Sequence, residues 1–259
     1  MTSINELFDV SGKVALVTGG TRGIGLMIAK GLVQAGVKTY VVSRKVEACA
    51  EAEAELRQYG EAVGIAADLS SAEQLNAFAK EFLRREPKLH ILVNNAGATW
   101  GAKFGEFPEN GWNKIMDINL KSIFFLTQKL GEALQAAGSD EDPARVINIG
   151  SIDGLTSPRF ENYSYSASKA AVHHLTRHLA AHLAPVHINV NAIAPGPFET
   201  KMTEFVLKDD AEQITGTIPR RRIGLASDVA GTTIFLSSAA SAYITGAVIP
   251  LDGGYSTTR

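Results

Sequence analysis

The sequence predicts an α/β protein in which helices cover both faces of a seven-stranded parallel sheet, a doubly wound arrangement. Three observations support this fold class. Short apolar runs alternate with longer helical patterns almost from the start of the chain. Each helical pattern is long enough to cross over a sheet between parallel strands. The length of 259 residues is one that a single doubly wound sheet often takes, so residues 1–259 are expected to form one domain.

The elements follow in order along the chain. The strands are predicted at Val14–Val17, Thr39–Val42, Val63–Ala66, Ile91–Val93, Val146–Ile149, Ile188–Ile193 and Val248–Pro250. The helices between them are predicted near Ile24–Gln34, Val46–Tyr59, Ala72–Arg85, Trp112–Ala136, Tyr165–Leu183 and Asp228–Ser237. Two irregular stretches remain: 138–143, which predicts a surface loop, and 195–224, which is long enough to predict a lid over a functional site.

The start of the third helix carries its own signal. Ser70 and Glu73 form an S-x-x-E pattern, which predicts a capping box that satisfies free amide groups in the first helical turn. A helix that begins here places Asp68 and Leu69 at the carboxyl end of the third strand.

Composition excludes several classes of function. The chain has 25 basic and 27 acidic residues, so no field attracts a nucleic acid. Cys49 is the only cysteine, which excludes an internal disulfide and a cysteine-based zinc site, and no metal is expected. Residues 1–12 lack the basic start and the apolar run of a signal peptide, and no stretch predicts a membrane span. A cytoplasmic location is therefore expected.

The first predicted strand leads into a glycine-rich loop and then a helix. The loop contributes Gly19, Thr21, Arg22, Gly23, Ile24 and Gly25. Glycines in this position let backbone amides at a helix start approach a pyrophosphate, although spacing alone would equally fit a tight turn. Because the loop lies in the first strand–helix–strand unit, we favour a dinucleotide site of the Rossmann type.

The end of the second strand indicates which dinucleotide binds. NAD-binding proteins place an acidic residue there to accept a hydrogen bond from the adenosine ribose. Here Ser43 and Arg44 stand instead. A guanidinium group matches a 2′-phosphate, and Arg22 can reach the same group, so the sequence favours NADP(H) over NAD. The alternative is that Arg44 is a solvated surface charge.

Several motifs in order resemble the short-chain dehydrogenase/reductase family over nearly the whole chain. They are Thr18-Gly-Gly-Thr-Arg-Gly-Ile-Gly25, Asp68-Leu69, Asn94-Asn-Ala-Gly97, Asn119, Ser151, Tyr165-x-x-x-Lys169, Pro195-Gly196 and Asp252-Gly-Gly254. This resemblance implies an NADP-dependent oxidoreductase that acts on carbonyl or alcohol groups.

The catalytic residues follow from one spacing and from the resemblance. Tyr165 and Lys169 are four residues apart in a predicted helix, so both lie on one face, where an ammonium group is expected to lower the pKa of the tyrosine towards neutrality. The resemblance implies that Tyr165 protonates the carbonyl oxygen, that Ser151 orients that oxygen, and that Lys169 holds the nicotinamide ribose. Asn119 would fix a water molecule in the proton relay. Tyr163, six residues from Lys169, is expected to form part of the pocket wall.

The resemblance also implies further cofactor contacts along the carboxyl edge of the sheet. Asp68 would contact the adenine, with Leu69 beside it. Pro195, Gly196 and Thr200 would meet the nicotinamide carboxamide. The residues after the fourth strand would lie beside the adenosine, and they are Asn95, Ala96 and Gly97.

For the substrate, the chain resembles the NADPH-dependent β-ketoacyl reductase branch of the family, of the rhamnolipid type. The segments Trp100-Gly101, Gly111-Trp112, Ala144–Ser151 and His187–Gly196 carry this resemblance. Apolar side chains in predicted loops could form a channel for an acyl chain or simply pack the lid: Trp100, Phe104, Phe198, Met202 and Phe205.

One departure leaves the acyl carrier open. Reductases of this branch that use a carrier protein present basic residues before the fifth and sixth strands, where this chain has Asp142 and Val186. A 3-oxoacyl thioester of coenzyme A or a free ketone is almost as plausible, with the basic run 220–222 as another docking patch. Two other interpretations stay open: an NADP-linked polyol or secondary-alcohol dehydrogenase, and a non-catalytic protein that only binds NADP.

Three histidines recur every four residues on the helix that carries Lys169. His174, His178 and His182 could line a metal site, but no carboxylate or cysteine accompanies them. The resemblance implies that this helix packs across a subunit interface, and a homotetramer is expected.

Overall fold

Seven parallel strands form one sheet in the computed structural model, which describes residues 3–158, 160–200 and 215–258. The strands are β1 (Val14–Thr18), β2 (Lys38–Ser43), β3 (Ala62–Ala66), β4 (Ile91–Asn94), β5 (Ala144–Ile149), β6 (Ile188–Pro195) and β7 (Val248–Leu251). Their spatial order is β3-β2-β1-β4-β5-β6-β7, and every neighbouring pair is parallel. The order reverses between β1 and β4, which opens a crevice at the carboxyl ends of these two strands.

Helices cover both faces of this sheet. They are α1 (Ile4–Phe8), α2 (Gly23–Gln34), α3 (Val46–Leu56), α4 (Ala72–Arg85), α5 (Glu109–Met116), α6 (Ser122–Lys129), α7 (Gly131–Ala137), α8 (Tyr163–Leu183) and α9 (Ala226–Ser237). On one face α2, α3 and α9 bury Leu32, Leu56 and Val229 against the strands. On the other face α4, α6 and α8 bury Phe78, Leu126 and Ala180. The predicted fold class is confirmed.

The central strands are buried along their whole length because helices cover both of their faces. Every residue of β4, β5 and β6 is buried. Because both faces are covered, apolar residues can follow one another without alternation, as Ile91–Val93 do in β4.

The helix predicted from Trp112 to Ala136 is wrong as one continuous element. A π turn, Asp117–Lys121, separates α5 from α6, and a break at Leu130 separates α6 from α7. The π turn admits one extra residue, and Asn119 within it is fully buried. Insertions of this kind often mark functional sites, and a periodicity of 3.6 residues cannot reveal them.

The predicted capping box at the start of α4 is also wrong. The N-cap of α4 is Ser71, whose Oγ accepts a hydrogen bond from Gln74 N at 3.3 Å. The Ser70 hydroxyl instead donates to Asp68 Oδ1 at 2.6 Å. Either of two adjacent serines could have capped the helix. Because the Ser70 hydroxyl bonds to the carboxylate of Asp68, Ser71 caps α4 instead.

A cluster of charges joins the amino ends of β1 and β5 to the last turn of α9. Lys13 Nζ contacts Asp142 at 2.7 Å and donates to the carbonyl oxygen of Ser237 at 3.0 Å. The buried Arg145 donates to Asp142 at 3.3 Å and to the carbonyl oxygen of Ser238 at 2.9 Å. The two cations therefore stabilise the negative end of the α9 dipole.

None of the helices within residues 3–158, 160–200 and 215–258 has the length and apolar character that crossing a lipid bilayer requires.

Candidate active site

Four predicted catalytic residues meet beyond the carboxyl ends of β4 and β5. Ser151 follows β5 by two residues, and Asn119 lies in the π turn between α5 and α6. Tyr165 and Lys169 lie in the first two turns of α8. Ser151, Lys169 and Asn119 are all buried, so the site is a preformed part of the fold.

Lys169 is held by the sheet. Its Nζ donates to the carbonyl oxygen of Ile149, the last residue of β5, at 2.7 Å. The same nitrogen lies 5.6 Å from the centroid of the Tyr165 ring. Burial lowers the pKa of the Lys169 ammonium to about 8. The lysine therefore lies between the end of β5 and the Tyr165 ring.

The expected lowering of the tyrosine pKa is wrong. Burial raises the pKa of the Tyr165 phenol to about 12, while the Ser151 hydroxyl acts to lower it and the carboxylate of Asp153 acts to raise it. Desolvation disfavours the phenolate more strongly than polar neighbours stabilise it. The raised pKa favours the protonated phenol, which has a proton to donate.

Asn119 connects three segments around the site. Its Oδ1 accepts from Ala98 N at 2.9 Å, and its Nδ2 donates to the carbonyl oxygen of Ala98 and to Ser168 Oγ, both at 3.0 Å. A side chain at Gly97 would approach Asn119 Oδ1 to 3.1 Å. Asn119 thus holds the loop after β4 against the helix that carries Tyr165.

The glycine loop after β1 has the form of a pyrophosphate cradle. Gly19 and Gly23 have φ angles of +64° and +52°, which favour glycine. A Cβ atom at Gly25 would collide with the carbonyl oxygen of Gly19. No side chain caps the first turn of α2, so its amide groups stay available to an anion. The residues present therefore fit a dinucleotide; Thr21 and Ile24, the other predicted contacts, are half-buried in the same loop.

Hydrogen bonds to Thr18 hold the loop that is predicted to lie beside the adenosine of the cofactor. The Thr18 Oγ1 accepts hydrogen bonds from the backbone amides of Asn95 and Ala96, both at 2.9 Å. The side-chain Nδ2 of Asn95 donates in turn to the carbonyl oxygens of Thr18 at 2.8 Å and Gly19 at 3.2 Å. The loop after β4 is therefore locked to the glycine loop across the point where the strand order reverses.

The predicted phosphate-binding arginines are exposed. Neither Arg22 nor Arg44 has an ion-pair partner in the part of the chain that the structure describes, and Ser43 beside them is half-buried. Arg22 lines a cleft of about 970 Å³ that also includes Gly23 and Thr200. No carboxylate occupies the end of β2, which fits a 2′-phosphate.

The remaining predicted cofactor residues lie along the same edge. Asp68 Oδ1 accepts from both the backbone amide and the hydroxyl of Ser70. The Leu69 side chain is buried in the core, which leaves its backbone for a ligand. Pro195 ends β6, and Gly196 N donates to the carbonyl oxygen of Leu251 at 3.0 Å.

A group of aromatic side chains lies in the segment after β4, in α5 and at the start of α8. The rings of Phe104 and Phe107 contact Tyr163 edge to face, with centroid distances of 5.9 and 5.8 Å. The Tyr163 hydroxyl donates to Glu161 at 3.1 Å. Trp100 packs so closely on Gly111 that a Cβ atom there would lie 2.8 Å from its ring. We call Trp100, Phe104, Phe107, Trp112 and Tyr163 the mouth aromatics.

Among the predicted pocket residues, Phe198 is corrected by the structure. Its side chain is only 1% exposed and packs on Gly224 within the core, so it offers no surface to a substrate. Met202 and Phe205 lie outside the described residues. The contact of Trp100 and Tyr163 with a substrate stays a prediction.

Sequence reasoning missed several residues that shape the site. Ser168 donates its hydroxyl to the carbonyl oxygen of Tyr165 at 2.7 Å and accepts from Asn119. His173 is buried behind Lys169, and burial lowers its pKa to about 4. Asp153 and Asn162 are joined by a hydrogen bond of 3.1 Å beside Ser151. The only available signal was a polar residue within four positions of a catalytic residue.

The histidine helix holds no metal cluster in the described ranges, since no group of three potential ligands lies together there. The rings of His178 and His182 pack 4.9 Å apart, and His174 is exposed.

A family model described as short chain dehydrogenase matches residues 13–211 of the chain. A rhamnolipids biosynthesis 3-oxoacyl-[acyl-carrier-protein] reductase of Pseudomonas aeruginosa is 45% identical over 254 residues, which cover 97% of this chain and 99% of that protein. A 2-dehydro-3-deoxy-D-gluconate 5-dehydrogenase of Pseudoalteromonas atlantica is 38% identical, with 96% and 98% covered.

Solved structures agree with these relatives. A Pseudomonas aeruginosa RhlG/NADP active-site complex matches with a TM-score of 0.93 and 44% identity, over 97% of this chain and 99% of that one. A gluconate 5-dehydrogenase of Burkholderia cenocepacia in complex with NADP and tartrate matches with a TM-score of 0.88 and 32% identity, over 97% and 98%.

Proposed function

Because the chain belongs to the short-chain dehydrogenase family, we propose that it is an NADP(H)-dependent oxidoreductase that reduces a 3-oxoacyl thioester or a related ketone to the 3-hydroxy product. One observation carries the proposal. Asn119, Ser151, Tyr165 and Lys169 converge beside a glycine cradle at the point where the strand order reverses, which is where such folds bind ligands.

The glycine loop and the first turn of α2 would hold the pyrophosphate of the cofactor, and Arg22 and Arg44 would bind its 2′-phosphate. When bound, NADPH supplies the hydride that reduces the carbonyl carbon. Lys169 lies deep enough to hold the nicotinamide ribose while its Nζ stays on the carbonyl oxygen of Ile149.

Tyr165 gives its phenolic proton to the carbonyl oxygen as that oxygen gains charge. Its raised pKa keeps the proton in place until this step, and the buried ammonium of Lys169 stabilises the phenolate that results. The Ser151 hydroxyl donates to the same oxygen and orients it. Asn119, fixed on Ala98 and Ser168, holds the route by which a water molecule restores the proton.

The mouth aromatics support a substrate with an apolar tail. Phe104 is 81% exposed and Tyr163 is 37% exposed, although large apolar side chains are usually covered. An acyl chain that lies over these rings would bury them. The relative from Pseudomonas aeruginosa that acts on a 3-oxoacyl group agrees with this substrate class.

A second candidate is a polyol or secondary-alcohol dehydrogenase. The exposed Glu161 carboxylate stands among the mouth aromatics, and Lys114 Nζ lies 5.5 Å from the Trp100 ring centroid. Both groups could bind substrate hydroxyls, and several relatives act on sugar acids or polyols. Tyr165 and Lys169 are both present, which disfavours a non-catalytic protein that only binds NADP.

The wider setting forms part of the proposal. We place the chain in the cytoplasm as a homotetramer of single-domain subunits, without nucleic acid, membrane or metal partners. The residue before β5 is the acidic Asp142, which pairs with Lys13 and Arg145. It therefore offers no basic side chain to an acidic carrier protein at that position. A coenzyme A thioester is therefore as good a candidate for the acyl donor as a carrier protein.

A substrate screen tests the proposed function. The purified protein is incubated with NADPH and 3-oxoacyl thioesters of increasing chain length, and in parallel with NADP and polyols, while NADPH absorbance is followed. We expect 3-oxoacyl reduction to improve with chain length. Turnover of polyols alone would select the second candidate.

A pair of variants tests the catalytic assignment. Tyr165→Phe should bind NADPH normally but lose about 10²-fold or more in kcat, the usual scale for a lost general acid. Tyr163→Phe should keep most of its activity because the Tyr163 hydroxyl bonds to Glu161 and, among the described residues, to no member of the catalytic group. Normal turnover by Tyr165→Phe would leave the NADP-binding protein as the better interpretation.

A further inference from the structure

Glu161 takes no part in the proposed reduction, yet it joins two segments near the catalytic residues. It lies two residues before the start of α8, and its Oε1 accepts hydrogen bonds from Phe104 N at 3.2 Å and from the Tyr163 hydroxyl at 3.1 Å. Its backbone carbonyl oxygen also accepts from Ala102 N at 3.2 Å. One residue therefore ties two positions of the segment after β4 to the first residue of α8.

The same segment is also anchored further along α8. Ala98 N donates to Asn119 Oδ1, and the carbonyl oxygen of Ala98 accepts from Asn119 Nδ2. Asn119 donates in turn to Ser168 Oγ. Because Tyr165 lies between Glu161 and Ser168 in the chain, the segment is anchored on both sides of this phenol. It therefore runs along the part of α8 that carries the proposed proton donor.

Hydrogen bonds, more than burial, fix the position of the Phe104 ring. This side chain is 81% exposed, so the hydrophobic effect does little to hold it in place. Its ring contacts Tyr163 edge to face at a centroid distance of 5.9 Å, and Phe107 contacts the same Tyr163 ring at 5.8 Å. Because Glu161 binds both the Phe104 backbone and the Tyr163 hydroxyl, it holds the two sides of this aromatic contact together.

We propose that Glu161 is a positioning residue that selects substrates with a long apolar chain, because it holds Phe104 and Phe107 on Tyr163 as an apolar surface beside Tyr165. The inference rests on the proposed function. A surface that is held in place before binding loses less conformational entropy when a chain lies on it, so the chain binds more tightly. Each methylene group that loses this contact weakens binding by about fourfold. Glu161 thus acts on the choice of ketone and leaves proton transfer to Tyr165.

Three substitutions at this position separate the hydrogen bonds from the charge. Glu161→Ala removes the acceptor, and Glu161→Asp keeps the charge on a side chain one methylene shorter, which cannot reach both donors. Glu161→Gln loses the charge but keeps an Oε1 acceptor. We expect the KM for long-chain 3-oxoacyl thioesters to rise by about tenfold or more in Glu161→Ala and Glu161→Asp, as the loss of contact with about two methylene groups implies. Glu161→Gln should stay near the wild-type value.

A short substrate shows whether the effect is one of selection. An acetoacetyl thioester has only a methyl group beyond its ketone, so its KM and kcat should change far less than the long-chain KM does. Glu106→Ala is the matched control, because it removes another exposed carboxylate from the same segment. It should leave the ratio of the long-chain KM to the short-chain KM at the wild-type level.

A second readout needs no turnover. Trp100 and Trp112 are the only tryptophans in the sequence, and both belong to the mouth aromatics. The Trp112 ring contacts Phe107 at a centroid distance of 6.3 Å. Release of the segment should therefore increase the quenching of tryptophan fluorescence by acrylamide in Glu161→Ala and Glu161→Asp, but not in Glu161→Gln. A long-chain saturated acyl thioester, which has no ketone to reduce, should protect the wild-type protein from quenching more than it protects Glu161→Ala.

An unchanged long-chain KM in Glu161→Ala and Glu161→Asp would overturn the inference. A Glu161→Gln protein that behaves like Glu161→Ala would overturn it too, since the charge would then matter and the hydrogen bonds would not. Equal rises in KM for short and long thioesters would exclude selection by chain length. Failure of the proposed function gives a different result: the wild-type protein would reduce no 3-oxoacyl thioester, whereas the order of quenching among the variants would still test the anchoring by Glu161.

Discussion

Asn119 Nδ2 and Ser168 Oγ form a hydrogen bond of 3.0 Å between the π turn and the first turns of α8. The Ser168 hydroxyl donates its own proton to the carbonyl oxygen of Tyr165 at 2.7 Å. The position of Tyr165 in the site is therefore coupled to a turn about 46 residues earlier in the chain through two buried bonds.

The first prediction removes this coupling. Ser168→Ala leaves Asn119 without one acceptor, so we expect kcat to fall by about tenfold through misplacement of the phenol, with little change in the KM for NADPH. Ser166→Ala is the matched control, since the Ser166 hydroxyl donates to the carbonyl oxygen of Tyr163 at 3.2 Å in an exposed bond of the same helix. Equal losses in both variants would contradict the coupling.

The second prediction concerns cofactor choice. Arg44→Asp places a carboxylate where the 2′-phosphate is expected, so we expect NADPH affinity to fall about tenfold or more while NADH affinity is retained or improved. Fluorescence titration with both cofactors measures this. Lys80→Asp, on an exposed position of α4, produces the same change in net charge and should not alter the ratio. A wild-type protein with equal affinity for both cofactors would contradict the assignment.

The third prediction is a pH profile. Burial lowers the pKa of Lys169 to about 8, whereas the pKa of Tyr165 is raised to about 12. As pH rises, the Lys169 ammonium is lost first, and with it the stabilisation of the developing phenolate. Ketone reduction should therefore be level below pH 8 and should fall as pH rises through about 8. In Lys169→Arg, which stays charged, that alkaline limb should disappear even if the maximal rate is lower. If the alkaline limb persists in Lys169→Arg, a titratable group other than Lys169 causes it.

The fourth prediction concerns the mouth. Gly111→Ala adds a Cβ atom 2.8 Å from the Trp100 ring, so the ring or α5 must move. We expect a loss of about 1–3 kcal/mol in the free energy of unfolding and a higher KM for long-chain ketones. Gly131→Ala, with nothing near its added Cβ atom, should be neutral or stabilising. Calorimetry measures the free energy of unfolding of both variants. Equal values would show that the Trp100 ring can move without loss of stability.

The motifs predicted the family, the sheet and the edge at which the site forms. The short-chain dehydrogenase match over residues 13–211 confirms the family, and the strand order confirms the doubly wound sheet. The strands could be predicted because each contains apolar residues within a few consecutive positions of the sequence. The roles of the individual site residues and the tetramer remain predictions.

What escaped prediction depends on contacts between distant segments. The π turn at Asn119 is set by the loop after β4, and the burial of Phe198 depends on Gly224. The high pKa of Tyr165 follows from its surroundings, of which the spacing to Lys169 is one part only. Asp153 carried no motif, because a carboxylate two residues after a serine has no meaning until α8 lies against it.

The bond between Lys13 and the carbonyl oxygen of Ser237 spans 224 residues of sequence. During synthesis β1 leaves the ribosome early and Asp142 follows, but the Lys13 ammonium group lacks its backbone acceptor until nearly the whole chain has emerged. Such distant contacts form late because a long loop must close before they contribute. The last turn of α9 should therefore be among the last regions to gain protection from hydrogen exchange during refolding. A chain that stops before residue 237 would leave Lys13, and with it the amino end of the sheet, without that partner.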